Sequence, residues 1–239
     1  MEQDLSGAEF RECDLSGARL VGVIMQDAEI DGLITNLLVN GVEVTGHVEA
    51  ELDRRHPVRV LIRSDDPGDL RQAWPILRAD WAATVARLRA MPVGSEHERV
   101  NDEWSAVETL RHLVFVYDSW FGRCVLGRTT SFTPMGLAID SVPDQAEQGL
   151  DRSAAPSLSE VLAVRDQQSA ELEAWLAVVD EATLGEPAPI PDGPGWPPYA
   201  RGRSVAQCLR TVLNEEREHH GFCVRDLDLL AGRTRDDAG

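Results

Sequence analysis

Two overlapping carboxylate–imidazole pairs stand in the run Val212-Leu-Asn-Glu-Glu-Arg-Glu-His-His-Gly221. Glu215 and His219 are four residues apart, as are Glu216 and His220, so on a helix each pair shares one face, a turn apart. A carboxylate oxygen and an imidazole nitrogen are donors that a divalent ion such as zinc accepts, yet two donors do not close its shell. A third from a facing helix would complete a site with one position left for a substrate, and His112 is the candidate. At about 100° per residue the apolar stripe of this helix passes between the two pairs, so spacing alone leaves the choice of pair open.

Positioning such donors requires helices that face one another. Four helix starts are marked by a capping residue followed three positions later by an acid or amide: Asp66 with Asp69, Ser105 with Glu108, Ser157 with Glu160 and Ser204 with Gln207. Apolar residues follow at helical spacing. Leu70, Trp74, Leu77, Trp81, Val85 and Leu88 mark the first helix, and Leu110, Leu113, Val114, Tyr117 and Phe121 the second. Leu162, Val164, Leu172, Trp175 and Leu176 mark the third, and the fourth runs from Val205 to an end near Gly232. Pro75 should bend the first helix, because it removes a hydrogen bond. Residues 128–156 and 185–203 are too long and too rich in Pro and Gly for tight turns and are expected to wall a pocket at one end of the bundle. Gly193 to Tyr199, with Trp196, is the expected lid, and Trp104, Tyr117 and Trp120 the expected lining. Glu108 or Glu216 is expected to orient the imidazoles.

The N-terminal residues repeat every five: Ala8-Glu-Phe10, Cys13-Asp-Leu15, Ala18-Arg-Leu20, Val23-Ile-Met25, Ala28-Glu-Ile30. This resembles the pentapeptide-repeat family, which implies a squared right-handed β-helix with small and large apolar residues pointing inward. About two coils fit, a solenoid short enough that a homodimer would cap it. The organisation expected is a repeat solenoid over 1–45, a connector with a short helix near Val48 to Arg55 over 46–65, a helical bundle over 66–233 and a tail over 234–239. The 239 residues carry a formal net charge of -18 with no basic block, which argues against nucleic acid as a ligand. Four scattered cysteines, no signal-peptide pattern and no membrane-length apolar run point to a cytoplasmic chain. Cys13, Cys208 and Cys223 fit buried apolar positions.

The sequences Glu103-Trp104-Ser105, Glu108-Thr-Leu-Arg-His112-Leu, Asn214-Glu-Glu-Arg-Glu-His-His and Arg225-Asp226-Leu227 resemble the DinB superfamily over about residues 66–232. That resemblance implies a four-helix bundle holding a divalent metal through a histidine of the second helix and a pair spaced by four on the last. In the actinobacterial thiol-transferase branch, which includes mycothiol-dependent maleylpyruvate isomerases, the pair is glutamate then histidine. Matching on Arg225-Asp226-Leu227 selects His112, Glu215 and His219 as ligands, with Glu216 and His220 as the alternative pair. The fold expected is α+β by parts and mainly α: a DinB-like four-helix bundle after a short β-helix. The activity implied is S-transfer, thiol exchange or isomerisation on a small electrophile. A thiol, mycothiol by resemblance, would lose its proton on zinc, with nickel, iron or manganese as other ions that such donors accept. The alternative is a non-catalytic interaction protein that uses the acidic repeat surface.

Overall fold

The computed structural model describes residues 4–11, 13–193 and 195–236, and the chain divides into two compact units, Met1–Val48 and Glu49–Gly239. In the first unit the five-residue period appears as turns. Positive φ recurs at Gly7, Gly17, Gly22, Asp27 and Gly32, all in one five-residue register. The Asp4 and Asp14 carboxylates accept from the backbone N–H of Ser6 and Ser16 at 2.9 and 2.8 Å, the Asx geometry that closes a turn locally.

Of the β-helix expected there, the structure shows the turns at the five-residue period and little strand. Among the described residues the only strands are β1 (Leu38–Val39) and β2 (Val42–Glu43), an antiparallel hairpin. Its turn residues Asn40 and Gly41 both have positive φ, as a two-residue hairpin requires. Leu5, Phe10, Leu15, Leu20 and Ile30 of the repeat are exposed, and so is Cys13. A solenoid buries its core by stacking successive coils, and two coils offer each other little to stack on.

The second unit is helical. In place of a connector with one short helix there are two helices, α1 (Thr45–Arg55) and α2 (Val58–Arg63), and α2 buries Val58 and Ile62. The long helices are α3 (Pro67–Arg89), α4 (Ala106–Val116), α5 (Leu158–Val178) and α7 (Val205–Asp236), with a short α6 (Glu181–Gly185). All four predicted caps are formed. Asp66 accepts from Gly68 N–H at 2.7 Å, Ser105 and Ser157 make reciprocal capping boxes, and Ser204 exchanges bonds with Gln207 at 2.9 and 3.3 Å. Helix α3 runs on through Pro75. Helix α7 continues past the expected end near Gly232 to Asp236, and the last three residues of the expected tail lie outside the described residues.

Helix α4 passes without a break into a π-helical segment, Tyr117–Val125. Ser119 Oγ donates to the Phe115 and Val116 carbonyls at 2.7 and 3.3 Å, meeting acceptors along the change of winding. Helix α3 packs on α5 and α7, and α4 packs on the same two, so the four close a ring. Leu70, Leu110, Leu113, Leu172, Leu209 and Leu227 lie in its interior at 0–1% exposure. Each such side chain contributes about 1.5–3 kcal/mol by leaving water. Residues 128–156, without a regular element, lay Phe132, Ala138, Val142 and Leu150 against Phe115 in a small core of their own. No described helix is long and apolar enough to cross a membrane.

Candidate metal centre

His112 projects from the last turns of α4 and is 5% exposed, while Glu215 and His219 project from successive turns of α7. These three meet. The Glu215 Oε2 atom lies 3.0 Å from His219 Nε2 and 3.6 Å from His112 Nε2, and one donor atom from each residue lies within 4.8 Å of the others. Donors about 2.0–2.2 Å from one tetrahedral ion stand roughly 3–4 Å apart, so the arrangement has the dimensions of a three-donor site.

The tautomer of His112 is set by its neighbour. Its Nδ1 lies 2.9 Å from the Leu137 carbonyl, which can only accept, so Nδ1 carries the hydrogen and the neutral ring offers Nε2 as a lone-pair donor. Leu137 is held in turn by its own N–H, which donates to the Arg111 carbonyl at 3.0 Å, and by the Arg111 guanidinium on the Met135 carbonyl at 2.8 Å. The crossing segment thus supplies a backbone oxygen to the site. The orienting role expected of Glu108 or Glu216 falls instead to this carbonyl: Glu108 caps α4 and pairs with Arg99, and Glu216 pairs with Arg165.

Burial would raise the Glu215 carboxyl, but the imidazoles of His112 and His219, when protonated, outweigh it by their contact and charge and hold the group down to about 2. An anionic carboxylate between two imidazoles is a donor set that a divalent cation fits. Glu215 keeps a third of its side chain exposed, so the cluster is reached from solvent on that side.

The alternative pair points elsewhere, since one residue along a helix turns a side chain to a different neighbour. Glu216 is buried in an ion pair with Arg165 of α5 at 2.7 Å, and His220 lies 2.8 Å from Thr84 Oγ1 of α3. The Trp81 indole N–H fixes this region by donating to the Glu216 carbonyl at 3.2 Å.

Of the aromatic residues expected to line the pocket, Trp104 stands against the cluster, its ring centroid 4.8 Å from that of His112 and 6.1 Å from that of His219. Tyr117 and Trp120 have other partners. The Tyr117 hydroxyl donates to Glu171 at 2.7 Å with its ring on Phe121, and Trp120 packs against Tyr199 under the Arg203 guanidinium. Both belong to the bundle core, as aromatics at helical spacing usually do. Trp196 packs its ring beside Tyr199, and its backbone N–H donates to the Gln148 side-chain oxygen at 3.0 Å, tying the expected lid to the other crossing segment; Pro194 of that lid lies outside the described residues. Two site neighbours escaped the sequence reading: Phe115, 6.0 Å from the His112 ring, and Phe222, 5.6 Å from His219. Each is three residues from a ligand on the same helix, and that spacing is the signal that could have found them.

Residues 76–223 match the family model described as the DinB superfamily, and residues 4–32 match pentapeptide repeats. No curated protein and no solved structure matches the chain.

Proposed function

The chain belongs to the DinB superfamily, and from that membership and its three converging donors we propose that it is a metal-dependent thiol transferase. The observation that carries this reading is the pair of imidazole Nε2 atoms aimed at one carboxylate oxygen, with the His112 tautomer set by the Leu137 carbonyl. We take zinc as the ion, with nickel, iron or manganese as others the donors suit, and mycothiol as the thiol. When bound, a divalent ion depresses the pKa of an incoming thiol, so that the nucleophilic thiolate is present at neutral pH.

The chain's own residues do the rest. His112, Glu215 and His219 hold the ion with two neutral donors and one charge. Trp104, Phe115 and Phe222 shield the imidazoles from water and offer flat apolar walls to an electrophile. In transfer, a sulfur–carbon bond forms, the electrophile's leaving group departs with the electron pair, and the thiol proton goes to solvent. We place this chemistry in the cytoplasm, where small thiols stay reduced. Following mycothiol loss against a panel of small electrophiles tests the reading. Consumption that depends on zinc and is lost in His112→Ala supports it, and consumption unchanged by that substitution rejects it.

A second reading rests on the first unit, whose repeat presents Leu5, Phe10, Leu15, Leu20 and Ile30 to solvent. Such a row favours an interaction surface, and a second copy of the chain supplies a matching five-residue period. Light scattering decides between a dimer that Phe10→Ser and Leu20→Ser dissociate and a monomer, which removes this reading.

A further inference from the structure

The chain has 2 tyrosines, and their hydroxyls are used differently. Tyr117 donates to Glu171 inside the bundle, whereas the hydroxyl of Tyr199, a residue 55% exposed, makes no hydrogen bond among the described residues. The Tyr199 ring is still held on three sides. Trp120 lies 5.8 Å away, Trp196 5.4 Å away with the rings at 90°, and the Arg203 guanidinium stands 5.7 Å from the ring centre. Its backbone is fastened as well. Ala200, the next residue, is fully buried in the bundle core, the Arg203 N–H donates to the Ala200 carbonyl at 3.0 Å, and the Arg123 guanidinium holds the Pro191 carbonyl at 3.2 Å. An immobilised side chain whose polar end is unspent is preorganised for a ligand.

That polar end belongs to the neighbourhood of the metal centre. His112 meets Glu215 and His219, while Cys124, further along the helix of His112, shares a hydrogen bond with Cys208, further back along the helix of Glu215. The two helices are therefore antiparallel. Trp120, with Tyr199 on its ring, falls between these two levels. The Glu215 carboxylate is close enough to act on the phenol. Burial pushes the phenol above the usual tyrosine range, the Arg203 guanidinium works against this and the Glu215 charge adds to it, so the hydroxyl is a neutral donor at physiological pH.

We infer that Tyr199 contacts the ligand of the metal centre, its hydroxyl donating a hydrogen bond to the sulfur of a thiol bound there, while Trp120, Trp196 and Arg203 hold the ring in position. The inference deepens the thiol-transferase reading and rests on it. A thiolate can only accept. Phe115 and Phe222 beside the donors carry no polar hydrogen, and the His112 Nδ1–H is spent on the Leu137 carbonyl, so a hydroxyl from the crossing segment supplies what these side chains lack.

The test loads the full chain with divalent cobalt, whose absorption gains a charge-transfer band when sulfur binds it, and titrates β-mercaptoethanol at neutral pH. A saturable band is expected in the parent. In Tyr199→Phe the affinity should be weaker by about 10- to 100-fold at unchanged cobalt content, the loss of one hydrogen bond to a charged acceptor. Equal affinity in parent and variant overturns the inference and leaves the thiol-transferase reading standing. A variant that loses its cobalt together with the band also overturns it, since Tyr199 would then support the donors and not the ligand. A parent that takes up no cobalt, or takes it up and shows no band, overturns both.

Discussion

Glu215 and Glu216 are neighbours in sequence and opposites in environment, and substitution should separate them. Glu215→Gln removes an anionic donor from a half-open cluster, so zinc content in the folded fraction should fall. Glu216→Ala leaves Arg165 as a buried unpaired charge and should cost about 3–5 kcal/mol in urea unfolding, with zinc content preserved in the folded fraction. The reverse pattern would assign the ligands to the other pair. At this scale the donors were legible as an i, i+4 spacing and a family resemblance, because both are properties of the chain. The Leu137 carbonyl and the Arg165 partner were not, since a backbone oxygen has no residue type and a partner 51 positions away has no spacing.

Helix starts were the most legible elements, because a cap is a local bargain between a side chain and the next turn's amides. Ser105→Ala should cost about 1 kcal/mol in a chemical melt. Glu108, the other half of that box, gives a signed pH test. Burial would raise its carboxyl, but Arg99 and the Ser105 groups outweigh this and hold it below the ordinary 4.5. The stability it contributes is therefore full above 4.5 and is lost as pH falls through the lower folded value. Glu108→Gln should weaken the protein at pH 7 and match it in strong acid, and melts across pH 3–7 check this. The π-helical widening after Val116 stayed invisible, since Tyr117 and Phe121 continue a helical spacing whichever way the backbone winds. So did α2, whose six residues are too few to show a period.

The two units differ in what holds them. Every buried residue lies at Val58 or beyond, among the described residues, so the second unit carries its own core. A chain beginning at Glu49 should unfold cooperatively with its zinc content unchanged, as calorimetry and metal analysis would show; loss of the transition would mean that the repeat supports the bundle. The repeat itself was legible as a period, yet whether its apolar residues find cover depends on how many coils stack, which no single five-residue unit records. The central claim remains that His112, from one helix, closes a cation site with Glu215 and His219 from another. Metal analysis of the full chain after zinc loading and desalting, set beside His112→Ala, tests it most directly. Close to one equivalent in the parent and almost none in a variant that stays folded is the predicted result, and equal zinc in both, or none in either, would contradict it.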